Sequence, residues 1–295
     1  LFLGCNNNQI PYLLVLKEMG YKIIGADYND DAPGRKYCDK FYNIGYNDHE
    51  GLVNIGKKEN FISSDKIFTA SAQFAYKGNA HFASYFGIPY PKESVIDFCL
   101  DKVAYYKYFL NNDIPLPQTM FIKSEEDLKL ELKKINEPKW LWLKSDFSKN
   151  PNYVYRMHTS SIPYDDIFWG RDRYLQDCYI LQDEYPGVSL RLNLYADRFN
   201  VIDFTTSKYT HKYHDEIIKF GVIKKLTALL IELGIDNWLI KFDIILNKEG
   251  YAVLDIGLDP PSRMKKKAME LDINFEKFYI MQYLEGKIKY PTSLD

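Results

Sequence analysis

The stretch IKFDIILNKEGYAVLDIGLDPPSR, from Ile240 to Arg263, contains two short β-like runs on either side of a polar turn. Asp243 lies in the first run and Asp255 in the second, and the turn residues Asn247 to Gly250 stand between them. A hairpin would therefore bring the two carboxylates close together. Hard oxygen ligands held in this way suit a Mg2+ ion that bridges nucleotide phosphates. Because an ordinary hairpin with solvated aspartates explains the stretch equally well, other segments have to distinguish the two interpretations.

The length and composition limit the classes of protein that the chain can belong to. Its 295 residues suit one large domain or two to three smaller ones, and its content of 46% hydrophobic and 26% charged residues is that of a globular protein. A formal net charge of -2 leaves no basic excess to neutralise nucleic-acid phosphates. No apolar run approaches the roughly eighteen residues that cross a bilayer, and no signal-peptide pattern is present. The sequence therefore predicts a cytoplasmic protein that binds neither nucleic acid nor a membrane.

The first 95 residues alternate between strand and helix patterns. A strand at Leu1 to Gly4 precedes an Asn-rich loop and a helical pattern from Gln9 that stops at Gly20, and Asp27 closes the next strand. This order is typical of a doubly wound parallel sheet. The first loop lacks the second and third glycines of GxGxxG, so a dinucleotide site is not favoured. Further units are predicted as a strand at Phe41 to Ile44, a helix near Asp48 to Lys58, a strand at Lys66 to Thr69 and a helix at Ala72 to Phe86.

The next segment combines a lysine-bearing helix with a strand that ends on a second lysine. The helix contains Asp101 and Lys102 and is followed by IPLP at Ile114 to Pro117, and Lys144 ends the apolar strand WLWL. A charged residue in that place should have a partner. The remaining predicted units are a strand at Thr119 to Ile122, a helix at Ser124 to Asn136, a glycine-free loop at Ser145 to Asn152 that could close over a ligand, and a strand at Tyr153 to Met157.

The last part of the chain shows antiparallel strand patterns that surround one cationic segment. A strand from Tyr179 runs into the turn Tyr185, Pro186, Gly187. The further predictions are strands at Val188 to Tyr195 and Phe199 to Thr206, a cationic loop at Ser207 to His214, a helix at Glu216 to Leu233, and a final helix at Phe275 to Glu285.

In their order and spacing, these segments resemble the ATP-grasp superfamily of carboxylate-amine ligases over nearly the whole chain. In the biotin carboxylase and D-alanine ligase branches, the two Mg-binding acids are about a dozen positions apart, and Asp243 and Asp255 are 12 positions apart. The resemblance implies an α/β protein with an ATP-grasp fold, α+β in its nucleotide-binding part. It also implies a Rossmann-like pre-ATP-grasp domain at residues 1–95, a central and lid subdomain at 96–182, and a C-terminal subdomain with the metal-binding hairpin at 183–295.

The resemblance also implies roles for individual residues. Lys102 and Lys144 match the two lysines that reach the nucleotide phosphates, and Asp243 and Asp255 match the metal ligands. Residues of the segment LQDEYPG match the interdomain hinge that hydrogen-bonds adenine, namely Gln182, Asp183 and Tyr185.

Several positions depart from the family pattern. The second acid is usually Glu followed after one residue by Asn, whereas Asp255 is followed by Ile256 and Gly257, so that one ligand is lost. Asp259 is the candidate replacement. Arg263 comes later than the family's arginine and is a candidate substrate or phosphate clamp. The glycine-free loop leaves Ser145, Ser148 and Lys149 as candidate replacements for backbone phosphate contacts.

The function that the resemblance implies is an ATP- and Mg2+-dependent ligase that joins a small-molecule carboxylate to an amine through an acylphosphate. The expected catalytic residues are Lys208 of the cationic loop, Arg263 and Arg191. Arg191 could bind substrate or pair with an acid on the sheet. The sequence does not fix the oligomeric state, and a homodimer is one alternative. A phosphotransferase with the same fold is one alternative. A nucleotide-binding protein without turnover is another, which the missing Asn and the glycine-free loop favour.

Overall fold

The computed structural model describes residues 1–70, 74–145, 154–163, 178–196, 201–203, 210–235, 238–258, 265, 268–269 and 272–285. The strands in these ranges are Phe2–Leu3 (β1), Ile24–Asp27 (β2), Lys40–Asn43 (β3), Thr119–Ile122 (β4), Trp140–Ser145 (β5), Val154–His158 (β6), Tyr179–Asp183 (β7), Val188–Ala196 (β8), Val201–Asp203 (β9), Trp238–Leu246 (β10) and Tyr251–Gly257 (β11). The α-helices are Ile10–Glu18 (α1), His49–Lys58 (α2), Ala75–Phe86 (α3), Glu93–Leu100 (α4), Lys102–Asn111 (α5), Glu125–Lys133 (α6), Thr210–Lys219 (α7), Val222–Glu232 (α8) and Phe275–Glu285 (α9). Within the described ranges, none of these helices is long and apolar enough to cross a membrane.

The N-terminal part is a small parallel sheet with strand order β1-β2-β3. The predicted strand at residues 66–69 contributes only an isolated parallel bridge between Phe2 and Phe68 on the free side of β1. Asp27 at the end of β2 accepts hydrogen bonds from the Cys5 N–H at 2.6 Å and the Asn29 N–H at 2.9 Å. Because its two carboxylate oxygens hold the backbone of neighbouring loops, this acid is not placed as a free ribose acceptor.

The central part is a four-stranded antiparallel sheet with order β4-β7-β5-β6. One face of this sheet and helix α6 share a hydrophobic cluster that includes Ile122, Leu128, Leu143 and Leu181. The helix begins where the Ser124 side chain accepts a hydrogen bond from the Asp127 N–H, as its acidic first turn favours. The sheet therefore has a covered face and presents β5 next to the C-terminal hairpin.

The C-terminal part is a second antiparallel sheet with order β11-β10-β8-β9. Strands β8 and β10 alternate strictly, so that Leu192, Phe242 and Ile244 are fully buried on one face. Their cluster also contains residues of α3, α4, α5 and α8, so one core connects the three parts of the chain. The Val253 N–H of β11 donates to the Pro115 carbonyl at 2.8 Å, which joins the IPLP segment to the hairpin.

Two predictions around the cationic segment were wrong. Residues Thr210 to His214 belong to helix α7 and not to a loop. The single helix predicted from Glu216 to Leu233 is two helices, because the chain turns at Gly221, whose φ is 63°. The apolar period continues across this glycine, so periodicity alone did not show the break. Lys208 itself lies outside the described residues.

Replacing Gly187 by alanine should destabilise the fold more than the same change at Gly221. Both glycines have positive φ, 155° and 63°, so alanine is strained at either position by roughly 1–3 kcal/mol. A Cβ at Gly187 would also approach the Leu246 carbonyl oxygen to 2.5 Å, whereas nothing lies within 4 Å of a Cβ at Gly221. We expect Gly187→Ala to lower the free energy of unfolding by about 3 kcal/mol and Gly221→Ala by about 1 kcal/mol. Urea unfolding measures both, and equal losses would exclude an effect of the Leu246 carbonyl.

Candidate functional site

The C-terminal hairpin places its two acidic residues side by side. In the pairing of β10 with β11, Asp243 is directly opposite Asp255, and in the pairing of β10 with β8 it is directly opposite Arg191. Residues opposite each other on neighbouring strands point to the same face of a sheet. A polar row of Asp255, Asp243 and Arg191 therefore crosses the face that lies away from the buried Phe242 and Ile244.

A β-bulge at Leu254 shapes the second strand beside this row. Asp243 pairs with Asp255 and the next residue, Ile244, pairs with Val253, so Leu254 has no partner in the ladder. A bulge releases the backbone groups of the extra residue. The Leu254 carbonyl accepts a hydrogen bond from the Tyr106 hydroxyl. The bulge thus gives helix α5 a point of attachment next to Asp255.

Helix α5 supplies the cation that holds Asp255. The Asp101 side chain accepts a hydrogen bond from the Ala104 N–H at the start of the helix, and Lys102 is its first residue. The Lys102 Nζ donates to Asp255 Oδ1 at 2.7 Å and the Tyr105 hydroxyl donates to the same oxygen at 2.6 Å. Lys102 and Tyr105 reach one oxygen together because residues three apart share a helix face.

This environment keeps Asp255 ionised. Burial alone would raise the pKa of its carboxyl group, but the charge of Lys102 and the hydrogen bonds from Lys102 and Tyr105 outweigh burial, and the pKa lies below its usual value. Lys102 is only 5% exposed, so its charge is compensated chiefly by Asp255. Removing either partner would leave the other charge buried and unpaired.

Lys144 on β5 lies on the other side of the bulge. Its Nζ is 3.2 Å from the Tyr106 hydroxyl and 3.4 Å from the Leu254 carbonyl oxygen. Among the described residues, the partners of Lys144 are therefore a hydroxyl and a backbone carbonyl, and no described acid bonds to the amine. Burial lowers the pKa of Lys144 to about 8, the Asp255 charge opposes this change and the Lys102 charge adds to it. Lys144 is thus a desolvated amine near the acidic row.

Arg191 forms a two-pronged ion pair with Asp243. The Arg191 Nε lies 2.5 Å from Asp243 Oδ1, and the Arg191 Nη2 lies 2.8 Å from Asp243 Oδ2. The hydrogen bonds with this carboxylate raise the pKa of Arg191. Of the two expectations for Arg191, the structure shows the pair with an acid on the sheet. Its catalytic role stays a prediction.

The three hinge residues have different surroundings. The Gln182 side chain is buried and its Nε2 donates to Thr119 Oγ1 at 2.9 Å. The Asp183 carboxylate instead pairs with Lys139 at 2.6 Å, and its N–H donates to the Gln118 carbonyl. Tyr185 is half-buried in the turn before β8. The side chain and N–H of Asp183 and the buried amide nitrogen of Gln182 are therefore already engaged, and the role of these residues in base recognition stays a prediction.

Three predicted site residues lie outside the described residues, namely Lys208, Arg263 and Asp259, and so do Ser148 and Lys149 of the glycine-free loop. The structure brings together Lys102, Lys144, Asp243, Asp255 and Arg191. It adds two residues that the sequence analysis missed, Tyr105 and Tyr106. The one sequence feature that could have identified Tyr105 is its spacing of three residues from Lys102. The chain has 25 tyrosines, however, and nothing in the local sequence distinguishes these two.

The rings of His49 and His81 are 4.8 Å apart. The His81 Nδ1 lies 3.5 Å from a Glu93 oxygen, which places the three side chains together at the surface of α2, α3 and α4. Lys77 lies 4.0 Å from Glu93 and also pairs with Asp97 at 2.8 Å. We interpret this group as a surface ion-pair cluster that is separate from the acidic row.

The two acids of the row could bind a hard divalent cation, but they differ in how many of their oxygens are free to do so. Asp255 uses only Oδ1 for its bonds to Lys102, Tyr105 and the Ile256 N–H, so its second oxygen has no hydrogen bond with the described residues. Both oxygens of Asp243 are engaged by Arg191. Ionised carboxylates are the ligands that Mg2+ prefers. Asp255 is therefore the carboxylate that is ready to hold a metal, and Asp243 could contribute only by exchanging a bond with Arg191.

Comparison with known proteins identifies the fold. No protein-family model and no curated protein matches the chain. N5-carboxyaminoimidazole synthetase from Staphylococcus aureus in complex with ADP matches with a TM-score of 0.72 at 12% identity, over 98% of this chain and 77% of that one. L-amino acid ligase from Bacillus licheniformis matches with a TM-score of 0.72 at 14% identity, over 98% and 76%.

A third similar structure is the biotin carboxylase domain of Hydrogenobacter thermophilus 2-oxoglutarate carboxylase, with MgADP and bicarbonate. Its TM-score is 0.71 at 16% identity, over 98% of this chain and 70% of that one. These three structures are ATP-grasp proteins, and the chain has the ATP-grasp fold that the order of its segments predicted.

The lowered pKa of Lys144 makes stability depend on pH. The amine has a pKa of about 8 in the folded protein and its ordinary value of 10.5 in the unfolded chain, so the unfolded chain binds more protons between these limits and stability rises with pH there. Relative to Lys144→Met, the wild type should gain about 3 kcal/mol of unfolding free energy between pH 8 and 10.5. Urea unfolding at several pH values tests this prediction. Lys224→Met, at an exposed lysine, is the control, and its unfolding free energy should vary with pH as that of the wild type does. If the unfolding free energy of Lys144→Met also varied with pH as that of the wild type does, the lowered pKa of Lys144 would be contradicted.

Proposed function

We propose that the chain is an ATP- and Mg2+-dependent ligase that joins a small-molecule carboxylate to an amine. The observation that carries this proposal is the convergence of Lys102 from α5, Lys144 from β5 and the Asp243–Asp255 pair of the hairpin on one place in an ATP-grasp fold. The similar structures are named as a synthetase, a ligase and a biotin carboxylase domain, and two of them contain ADP. Neither their identities nor their names decide which substrates this chain uses.

The proposed reaction has two steps. A carboxylate oxygen of the first substrate attacks the γ-phosphorus of ATP, the bond between that phosphorus and the bridging oxygen of ADP breaks, and an acylphosphate and ADP result. The nitrogen of the second substrate then attacks the acyl carbon, phosphate leaves, and the nitrogen loses a proton to give the amide. Such chemistry needs positioned charges more than covalent participation by the protein.

The residues of the site suit these charges. Lys102 and Lys144 would hold the phosphates, and a phosphate beside Lys144 would favour its charged form over the neutral amine that burial favours. Asp255, with Asp243, would hold Mg2+, which when bound neutralises charge on the phosphates. Tyr105 and Tyr106 keep Lys102, Asp255 and Lys144 in place by their hydroxyl contacts. In this proposal the described residues bind and orient a nucleoside triphosphate.

A nucleotide-binding protein without turnover is the second candidate. Two observations favour it, since Gly257 stands where the family has its amide ligand and Arg191 engages both oxygens of Asp243. A ligase would release ADP only when both substrates are present and would form an amide. A binder would retain ATP with no ADP release, and a phosphotransferase would release ADP with a phosphorylated product. A homodimer and a cytoplasmic location are retained as parts of the proposal, and sedimentation analysis tests the first.

The direct experiment combines calorimetry with ATP and Mg2+ and an ADP-release assay over pools of amino acids and other small carboxylates with amines. We expect ATP to bind only weakly without Mg2+ and ADP release to require both substrate classes. Absence of ATP binding would reject the ligase and both alternatives.

Asp255→Asn should abolish Mg2+-dependent ADP release. It also leaves Lys102 buried without its counter-ion, so we expect a loss of about 3–5 kcal/mol in unfolding free energy. The double variant Lys102→Met with Asp255→Asn removes both charges and should recover most of this stability while remaining inactive. Asp97→Asn, which removes an exposed acid paired with Lys77, is the control for activity. An active, stable double variant would remove Asp255 from the site.

A further inference from the structure

Lys241 is a cation on the same face as the acidic row. It precedes Asp243 by two residues in β10, and side chains two apart on a strand point to the same face. Its partner across the hairpin is Gly257, as Asp255 is the partner of Asp243. Lys241 therefore lies one step along the sheet from the two carboxylates.

The Lys241 side chain passes over Gly257. A Cβ built on Gly257 would overlap Lys241 Cε and would lie 2.9 Å from both Cγ and Cδ. Any side chain at residue 257 would therefore have to displace the lysine. Gly257 is two residues after Asp255, which is the position of the family's Asn. The aliphatic part of the Lys241 side chain therefore occupies the space beside Gly257 in which the family's Asn side chain would begin.

The charge of Lys241 is not used by the described part of the protein. Among the described residues, Lys102 pairs with Asp255, Arg191 pairs with Asp243, and Lys144 bonds to Tyr106 and Leu254. Lys241 forms no ion pair or hydrogen bond with a described residue. Within the described part of the chain, Lys241 is thus a cation beside the acidic row whose charge is left for a ligand, and an anion is the ligand that would balance it.

We propose that the Lys241 ammonium binds the γ-phosphoryl group and takes over the charge neutralisation that an amide-held metal would provide, so that the site holds one divalent cation per triphosphate. This proposal rests on the proposed function and deepens it. Lys241 donates hydrogen bonds to phosphoryl oxygens while the phosphoryl group passes to the carboxylate. Asp255, with its second oxygen open, holds the single cation.

The test compares ADP with a triphosphate whose β,γ-bridge is an imido group. Lys241→Met keeps the stem and removes the charge, so the analogue should bind about 10- to 100-fold more weakly while ADP affinity stays unchanged. Lys248→Met, at an exposed lysine in the turn of the same hairpin, is the matched control and should change neither affinity. Thermal unfolding of both variants shows whether each is folded.

The metal count gives a readout that does not depend on activity. Titration with Mn2+ followed by electron paramagnetic resonance should show one tightly bound ion per analogue in the wild type. Lys241→Ala with Gly257→Asn frees the volume and restores an amide, and should add a second, weaker ion. Two ions in the wild type, or an equal loss of ADP and analogue affinity in Lys241→Met, would overturn the inference while leaving the proposed function intact. A wild type that binds neither nucleotide would overturn both.

Discussion

The ion pair between Lys102 and Asp255 is the interaction on which the site depends. It joins residues 153 positions apart, and with the Tyr105 hydroxyl it fixes the first turn of α5 to the second strand of the hairpin. Burying an ammonium group to 5% exposure is costly without such a partner. Because the pair occupies one oxygen of Asp255, it determines which oxygen remains for a ligand. The position of α5 and the direction of the carboxylate are therefore a single constraint.

The bulge at Leu254 extends this constraint to the central sheet. A regular ladder would have used the backbone groups that the bulge makes accessible to Tyr106 and Lys144. Tyr106 thus contacts both the hairpin and Lys144 of β5, so that α5, β5 and β11 meet at the Leu254 carbonyl. Burial at this junction lowers the pKa of Lys144, and the nearby charges of Asp255 and Lys102 act on it in opposite directions. A phosphate bound beside Lys144 would therefore raise the pKa of this amine more than it would raise the pKa of a solvated lysine.

Much of the fold was predictable because its signals are local. The helix that carries Lys102, the strand that carries Lys144 and the hairpin of Asp243 and Asp255 each follow from periodicity and turn residues, whereas the start of a separate helix at Lys102 was not predicted. The partners could not be predicted in this way, since they depend on register and on contacts over more than a hundred residues. The bulge at Leu254 and the break at Gly221 have no effect on hydrophobic period. The residues around the acidic row were therefore identified more reliably than the bonds between them.

The observed partner of Asp243, Arg191, and its proposed partner, a metal ion, compete for the same two carboxylate oxygens. Arg191 holds both of its oxygens, whereas a divalent cation needs at least one of them as a ligand. A charge-assisted pair with two bonds gains geometric specificity, and giving up one bond costs less when the freed N–H finds another anion. Phosphoryl oxygens near Asp255 would supply that anion. Exchange of one Arg191 bond for a phosphate contact would therefore let Asp243 approach a metal without leaving the Arg191 charge unpaired, so that under the proposed function a cationic residue and a metal ligand could occupy neighbouring positions on the sheet.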